Sequence, residues 1–325
     1  MRIGLCYDTK EDYGFHPSDM RYTDFATLST VSDIAGALSR AGHSVVFING
    51  ITELKKSFFH SMLPDVDLVF NISEGIGSRN REGLIPALLE AYNIPYSGSD
   101  AYAMSLTLNK HHTKIIANYL NIPTPNSYII SSLADISGHS IEYPAVVKPN
   151  YEGGSMGVVR VSNDDELVSA CTQLLAQYPG QLLCEEYISG VEVTVPVIGN
   201  GTESKALCAV TARHADGRDI DIYSSELKYY GDIDLRVMGN EDALLRDKLL
   251  RYSKTMHDFL GLRDYSRFDY RIGHDGTPYL LEINPMPSLD REDTFEIYAR
   301  SVGLEYHEVI NMIVREAATR NGIKF

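Results

Sequence analysis

Two hydrophobic periods alternate along this chain, and their order predicts its layers. Residues 2–7 are a short apolar run, which predicts a buried strand. Leu28, Val31, Ile34, Ala35 and Leu38 then recur at helical spacing, with Gly42 at the end of that helix. His43 to Ile48 and Asp65 to Ile72 read as further strands, Glu82 to Tyr92 as a helix, and Ile94-Pro95-Tyr96 as a short extended piece. Strands alternating with helices predict a parallel α/β unit ending near Gly98-Ser99-Asp100.

A long helix is expected from Ala101 to Leu120, closed by Asn121 and Pro123. Strands at 126–130, 144–148 and 158–161 follow, with Gly153-Gly154-Ser155-Met156-Gly157 between the last two. Asp164 caps a helix to about Gln177, and a strand at 181–187 leads out of this region. The final third reads as strands near 191–198 and 205–212, an irregular stretch over 213–237, and a helix over 241–260. A hairpin and helices near 292–301 and 305–320 close it. The whole is α/β and α+β, in more than one domain. No internal repeat or low-complexity tract interrupts it.

The hairpin carries the sharpest chemistry. Arg267-Phe268-Asp269-Tyr270-Arg271 and Tyr279-Leu280-Leu281-Glu282-Ile283-Asn284 read as two strands around an Asp275-Gly276 turn. Alternation puts Arg267, Asp269 and Arg271 on one face, and Leu280, Glu282 and Asn284 on one face of the partner. If those faces coincide, Asp269, Glu282 and Asn284 offer hard oxygens for Mg²⁺ carrying a polyphosphate. A solvated hairpin with a salt bridge fits the same residues.

Three further segments add to the picture. Lys148 ends a strand before Gly153, Gly154, Ser155 and Gly157. Glycines there would let backbone N–H groups approach phosphate, with Lys148 as a point charge. The spacing is neither a Walker A loop nor a dinucleotide fingerprint, and a flexible hairpin is the plainer alternative. Glu185, Glu186, Tyr187, Ile188 and Glu192 follow an apolar strand. Their carboxylates suit adenine N6 or ribose hydroxyls, or else a charged linker. Lys228 beside Tyr229 and Tyr230 would suit a γ-phosphate, or be simply solvated. His111 and His112 are adjacent on a helix, hence on different faces, which argues against a metal pair.

Composition narrows the partners. At 325 residues, 44% hydrophobic and 22% charged, the chain is an ordinary globular protein long enough for two or three domains. A net charge of −15 makes the chain a poor general binder of nucleic acid or anionic membrane. Cys6, Cys171, Cys184 and Cys208 lack metal or disulfide spacing, so reduced thiols are expected. With no signal-like N-terminus and no membrane-length apolar run, the cytoplasm is the expected location.

Taken in order from about Asn71 to Ile313, these segments resemble the ATP-grasp carboxylate–amine ligases, and within them the D-alanine–D-alanine ligase family. The resemblance implies an ATP-grasp fold with an N-terminal Rossmann-like domain (1–100), a central subdomain (101–187) and a C-terminal subdomain (188–325). It implies Lys110 and Lys148 as nucleotide lysines, Glu185 and the backbone of Glu186 to Ile188 at adenine, Glu192 at the ribose, and Lys228 at the γ-phosphate. Asp269, Glu282 and Asn284 would hold two Mg²⁺, with Mn²⁺ as an alternative. Arg267, with Tyr229 and the Ser288 backbone N–H, would serve the reacting centre. The implied reaction joins a small-molecule carboxylate to an amine through an acylphosphate, and a homodimer is the family expectation.

The chain departs from that pattern where substrates would bind. Asn71-Ile72-Ser73-Glu74-Gly75 lacks the family histidine, and Asp8-Thr9-Lys10-Glu11-Asp12-Tyr13-Gly14 replaces its Ser-x-Glu. Gly154 stands at a serine position, and Pro287-Ser288-Leu289-Asp290-Arg291-Glu292-Asp293 carries aspartate where a serine grips the acceptor carboxylate. Arg291 is the alternative acid binder there. The expectation is therefore a product other than D-alanyl-D-alanine. The alternatives are D-alanine–D-alanine ligation itself, or a non-catalytic ATP-binding protein on this fold.

Overall fold

The computed structural model describes residues 1–325 except 17, 18, 20, 21, 60–64, 179, 225, 228–230 and 325, and except the side chains of 58 and 59. Its N-terminal layer is a parallel sheet. β1 (Arg2–Tyr7) lies between β2 (Ser44–Asn49) and β3 (Leu68–Ile72), and Tyr96 adds a parallel bridge to Val69. β1 and β3 are apolar because helices cover them, as a parallel sheet requires. α1 (Leu28–Arg40) is capped by Thr27, whose hydroxyl accepts from the Thr30 N–H, and it buries Val31, Ile34 and Leu38. α2 (Gly50–Phe59) follows β2 and was not expected from the sequence, since its polar residues outnumber its apolar ones. α3 (Leu84–Ala91) completes the unit.

The helix expected over 101–120 is two helices, α4 (Ala101–Leu108) and α5 (Lys110–Tyr119). Asn109 breaks it. Its backbone is extended (φ −82°, ψ 93°) and its side chain accepts from the His112 N–H, so it caps α5 while ending α4. A local side-chain bond has outcompeted helix continuation. The break turns Lys110 into the first residue of a helix.

Two antiparallel sheets follow. One has the order β4 (Ser127–Ile130), β7 (Leu182–Glu186), β5 (Ala145–Pro149), β6 (Val159–Val161), with α6 (Asp164–Gln177) packed on it. Asn163, not Asp164, caps α6, with its side chain accepting from the Glu166 N–H. The other has β11 (Ile233–Val237), β10 (Val210–His214), β8 (Gly190–Ile198), β12 (Tyr265–Gly273) and β13 (Pro278–Asn284) in that order, with β9 (Lys205–Ala206) also on β8. The strand expected over 205–212 is thus split, and part of the stretch read as irregular is β11.

α7 (Ala243–Leu260) covers this sheet, burying Leu249, Met256 and Leu260 against Phe268, Tyr270 and Leu280. α8 (Thr294–Val302) and α9 (Tyr306–Arg320) close the chain. α9 returns to the N-terminal layer: Val309, Ile310, Ile313 and Val314 share one core with Val31, Ile34 and Leu38. No described helix is long and apolar enough to cross a membrane.

Candidate active site

Strand pairing brings the hairpin's polar faces together. Asp269 stands directly opposite Glu282, and Arg267 opposite Asn284. Leu280 does not share their face. A bulge shifts the register after Asp269, so Leu280 faces Tyr270 and both sink into the core. The apolar residue is thereby removed from the polar face.

Arg267 grips Asp269 with both sides of its fork, Nε to Oδ1 at 2.9 Å and Nη2 to Oδ2 at 3.0 Å. Its Nη1 reaches Asp293 Oδ2 at 3.4 Å. Asn284 Nδ2 donates to Asp269 Oδ2 at 2.8 Å. Burial would lower the Arg267 pKa, but Asp269 and then Asp293 outweigh it, so the guanidinium stays charged. Tyr223 lies in the same field, its hydroxyl pushed up to about 12 by burial and by Asp293.

Among the described residues no group of three His, Cys, Asp or Glu side chains is placed to hold a metal by itself. Asp269 and Glu282 with the Asn284 carboxamide fit a different pattern. Mg²⁺ takes one or two carboxylates and completes its shell with phosphate oxygens and water.

The opposite wall is built from lysines on one carboxylate. Lys148 on β5 and Glu185 on β7 are diagonal neighbours on one face of the four-stranded sheet, and Lys148 Nζ lies 2.5 Å from Glu185 Oε1. Lys114, one turn beyond Lys110 on α5, lies 2.7 Å from Glu185 Oε2. Lys110 Nζ donates to the Glu152 carbonyl and lies 3.4 Å from Glu282 Oε2, so α5 touches both walls. Burial lowers Lys114 to about 8 against the pull of Glu185. In Lys148 the balance is reversed: Glu185 and Glu282 outweigh burial and raise it. Glu185 itself sits low, because its two lysines outweigh its burial.

The glycine loop lies at the cleft edge. Gly154 (φ +58°), Ser155 (φ +61°) and Gly157 (φ +66°) all adopt left-handed backbone. A Cβ on Gly154 would stand 2.4 Å from Thr23 Oγ1, so the Thr23 hydroxyl occupies the space of the side chain this position lacks. Gly153 faces Asp24. Ile188 is buried in the link from β7 to β8, and Glu186 and Tyr187 are tied by backbone bonds to Asn126 and Pro144. Glu192 on β8 lies 3.7 Å from Arg271 Nη2. Arg271 also holds the Ile220 and Asp221 carbonyls, pinning the 220–221 loop to the strand that carries Asp269. Lys228 and Tyr229 lie outside the described residues.

Three of the four departures from the family pattern meet, at Asp8, at Ser73 to Gly75 and at Gly154. Asp8 accepts from Ser73 Oγ, from the Gly75 N–H (2.9 Å) and from Tyr13 Oη (2.7 Å). Arg81 pairs with Asp24 at 2.8 Å and reaches the Tyr151 carbonyl at 2.9 Å, which joins this group to the glycine loop. Glu74 and Glu82 sit around Arg81. Burial raises both, helped by Glu82 at Glu74 and by Asp24 at each, and Arg81 only partly offsets it. At the other end of the cleft, Asp290 accepts from Thr30 and Ser288, while Asp293 caps α8 and faces Arg267. Arg291 points elsewhere, to Asp33 at 3.4 Å and over the Tyr306 ring.

Sequence reasoning missed Lys114, Arg81 with its acidic partners, and the role of Asp293 on Arg267. Only Lys114 left a readable signal, four residues after Lys110 and so on the same helix face.

The family model described as "D-ala D-ala ligase C-terminus" matches residues 123–315. The chain is 30% identical over 304 residues to y4sG of Sinorhizobium fredii, a protein called uncharacterized, covering 89% of this chain and 88% of that one. It is 30% identical over 299 residues to D-alanine–D-alanine ligase B of Pseudomonas putida, covering 91% of this chain and 90% of the relative. Among solved structures, D-alanine–D-alanine ligase from Bacillus anthracis complexed with ATP has a TM-score of 0.75 at 22% identity over 99% of both chains. VanG D-Ala:D-Ser ligase from Enterococcus faecalis also has a TM-score of 0.75, at 17% identity, over 97% of this chain and 99% of that one. At those identities the likeness speaks to the fold.

Proposed function

This chain belongs to the D-ala–D-ala ligase family and is an ATP-dependent carboxylate–amine ligase of the ATP-grasp fold, and from that premise we propose how its cleft works. ATP lies between the four-stranded sheet and the sheet that carries the hairpin. Lys148 and Lys110 meet its phosphates, with the glycine loop over them. Glu186 to Ile188 meet adenine and Glu192 the ribose. Asp269, Glu282 and Asn284 would hold Mg²⁺, which when bound would neutralise phosphate charge. Lys228 and Tyr229 complete the site in this reading.

A substrate carboxylate attacks the γ-phosphate, forming an acylphosphate and ADP. Arg267 offers its guanidinium first to the transferring phosphate and then to the oxyanion formed when the amine attacks. This is work by positioning and charge rather than by covalent chemistry. The Ser288 N–H assists at the second step. The observation that carries the proposal is the register of the hairpin, which sets Arg267, Asp269, Glu282 and Asn284 on one polar face opposite Lys148 and Lys110.

For the substrates, the relatives named as D-alanine–D-alanine ligases favour D-alanine as both donor and acceptor over the sequence expectation of another product. A different amino-acid pair is the second reading. It is supported by four carboxylates, Asp8, Asp24, Glu74 and Glu82, gathered with Arg81 beside the glycine loop. ADP release across a panel of D- and L-amino acids and simple amines, with mass detection of the product, tests both. Turnover on D-alanine alone would remove the second reading. Product formation only from other pairs would remove the first.

A further inference from the structure

Lys114 stands outside every motif that marked the cleft, yet at 2% exposure it is the most deeply buried of the three lysines there. We infer that Lys114 is a positioning residue that holds one oxygen of Glu185 and thereby leaves Lys148 with positive charge to offer the nucleotide phosphates. The inference rests on the proposed reading of this cleft as the ATP site.

The argument is a charge count at fixed geometry. One carboxylate, Glu185, stands between two ammonium groups, at 2.5 Å from Lys148 and 2.7 Å from Lys114. The other bonding partners of Lys114 are neutral, the Thr124 hydroxyl at 3.0 Å and the Leu280 carbonyl at 3.5 Å. The three side chains therefore carry one surplus positive charge. Glu282 acts on both lysines, but Lys114 is the more buried and is bonded to Thr124 and Leu280, while Lys148 also lies in the field of Glu192. The surplus is expressed at Lys148.

Without Lys114, Glu185 and Lys148 would form a closed one-to-one pair, and a phosphate arriving at Lys148 would meet a neutralised cation. Lys114 also ties the two walls together. Its helix and Thr124 hold the Leu280 carbonyl beside the bulge that turns Glu282 into the cleft.

The test is calorimetric titration of the full chain with ATP and Mg²⁺, paired with steady-state kinetics. Lys114→Met is expected to weaken ATP binding about tenfold or more while kcat at saturating ATP stays within about threefold, the split expected of uniform binding. Thr124→Val keeps all three charges but loses the bonds to Lys114 and to the Leu280 carbonyl, so it is expected to weaken ATP binding by less than Lys114→Met; an equal loss would assign the effect to the tie between the walls and overturn the charge argument. The double variant Lys114→Met/Glu185→Gln is expected to bind no more weakly than Glu185→Gln, because Lys114 acts through Glu185. It also leaves no Glu185 carboxylate oxygen stripped of its lysine, so it reports even if Lys114→Met alone does not fold. Unchanged ATP binding in Lys114→Met, or fully additive losses in the double variant, would overturn the inference. A wild-type chain that binds no ATP would overturn the reading of the cleft itself.

Discussion

Replacing Arg267 by lysine keeps the charge and removes the fork. The arginine makes two well-aligned bonds to Asp269, at 2.9 and 3.0 Å, and a third contact to Asp293 at 3.4 Å. A lysine can face one carboxylate oxygen at a time. At least one charge-assisted bond is lost at a site where both partner side chains are only 13% exposed. Such bonds contribute about 1.5–3 kcal/mol each. A lysine that remains near Asp269 recovers part of this, so a stability loss of about 2 kcal/mol is expected from the urea midpoint. The catalytic loss should be larger, because a donor aimed at developing oxyanion charge is worth roughly 10²–10³ in kcat. ADP release at saturating substrates reads that loss, with the KM for ATP expected to move little. A kcat for Arg267→Lys within about threefold of the wild type would refute the assignment of Arg267 to the reacting charge.

Three further expectations follow from separate parts of the molecule. Gly190 has φ +146°, and a Cβ there would stand 1.9 Å from the Ile272 carbonyl, so Gly190→Ala should break the β8–β12 pairing. A loss of about 3 kcal/mol or more in urea unfolding is expected. Asp264 is fully buried and holds Arg320 at 2.7 Å, the Gly98 N–H at 2.8 Å and Asn200 at 3.0 Å. Asp264→Ala should therefore cost about 3–5 kcal/mol by stranding Arg320, read by thermal or urea melts. Burial raises Glu82 from 4.5 to about 7, so the folded state binds its proton more tightly than the unfolded chain. Its contribution is full below pH ~4.5 and is lost as pH rises toward ~7, the sign required when the native state holds the extra proton. The wild type should lose stability across that window, and Glu82→Gln should flatten the loss. Equal slopes for the two proteins would contradict this.

Much of the fold was legible because burial imposes period. The apolar runs of β1 and β3 and the face of α1 follow from it, and so does the hairpin, whose alternating polar positions meet across the ladder. Three kinds of feature escaped. Asn109 interrupts a helical pattern through a side-chain bond that periodicity does not register. The bulge near Leu281 swaps Leu280 to the core face, and only the partner strand reveals it. The grouping of Asp8, Asp24, Glu74, Glu82 and Arg81 depends on segments far apart in the chain meeting at the glycine loop. Lys110, Lys148, Glu185, Asp269, Glu282 and Asn284, which the fold brings together, could be singled out because their order along the chain resembles one family, whereas Lys114 and Asp293 join them only through neighbours supplied by the fold.

The central claim is that this cleft couples ATP to amide formation through an acylphosphate. The most direct test supplies a donor amino acid labelled with ¹⁸O in its carboxylate, together with ATP, Mg²⁺ and the acceptor amine. Mass analysis of the released phosphate is the readout. The account predicts that one carboxylate oxygen is transferred to phosphate for each amide formed, alongside ADP. Amide formation with unlabelled phosphate, or with AMP in place of ADP, would contradict it.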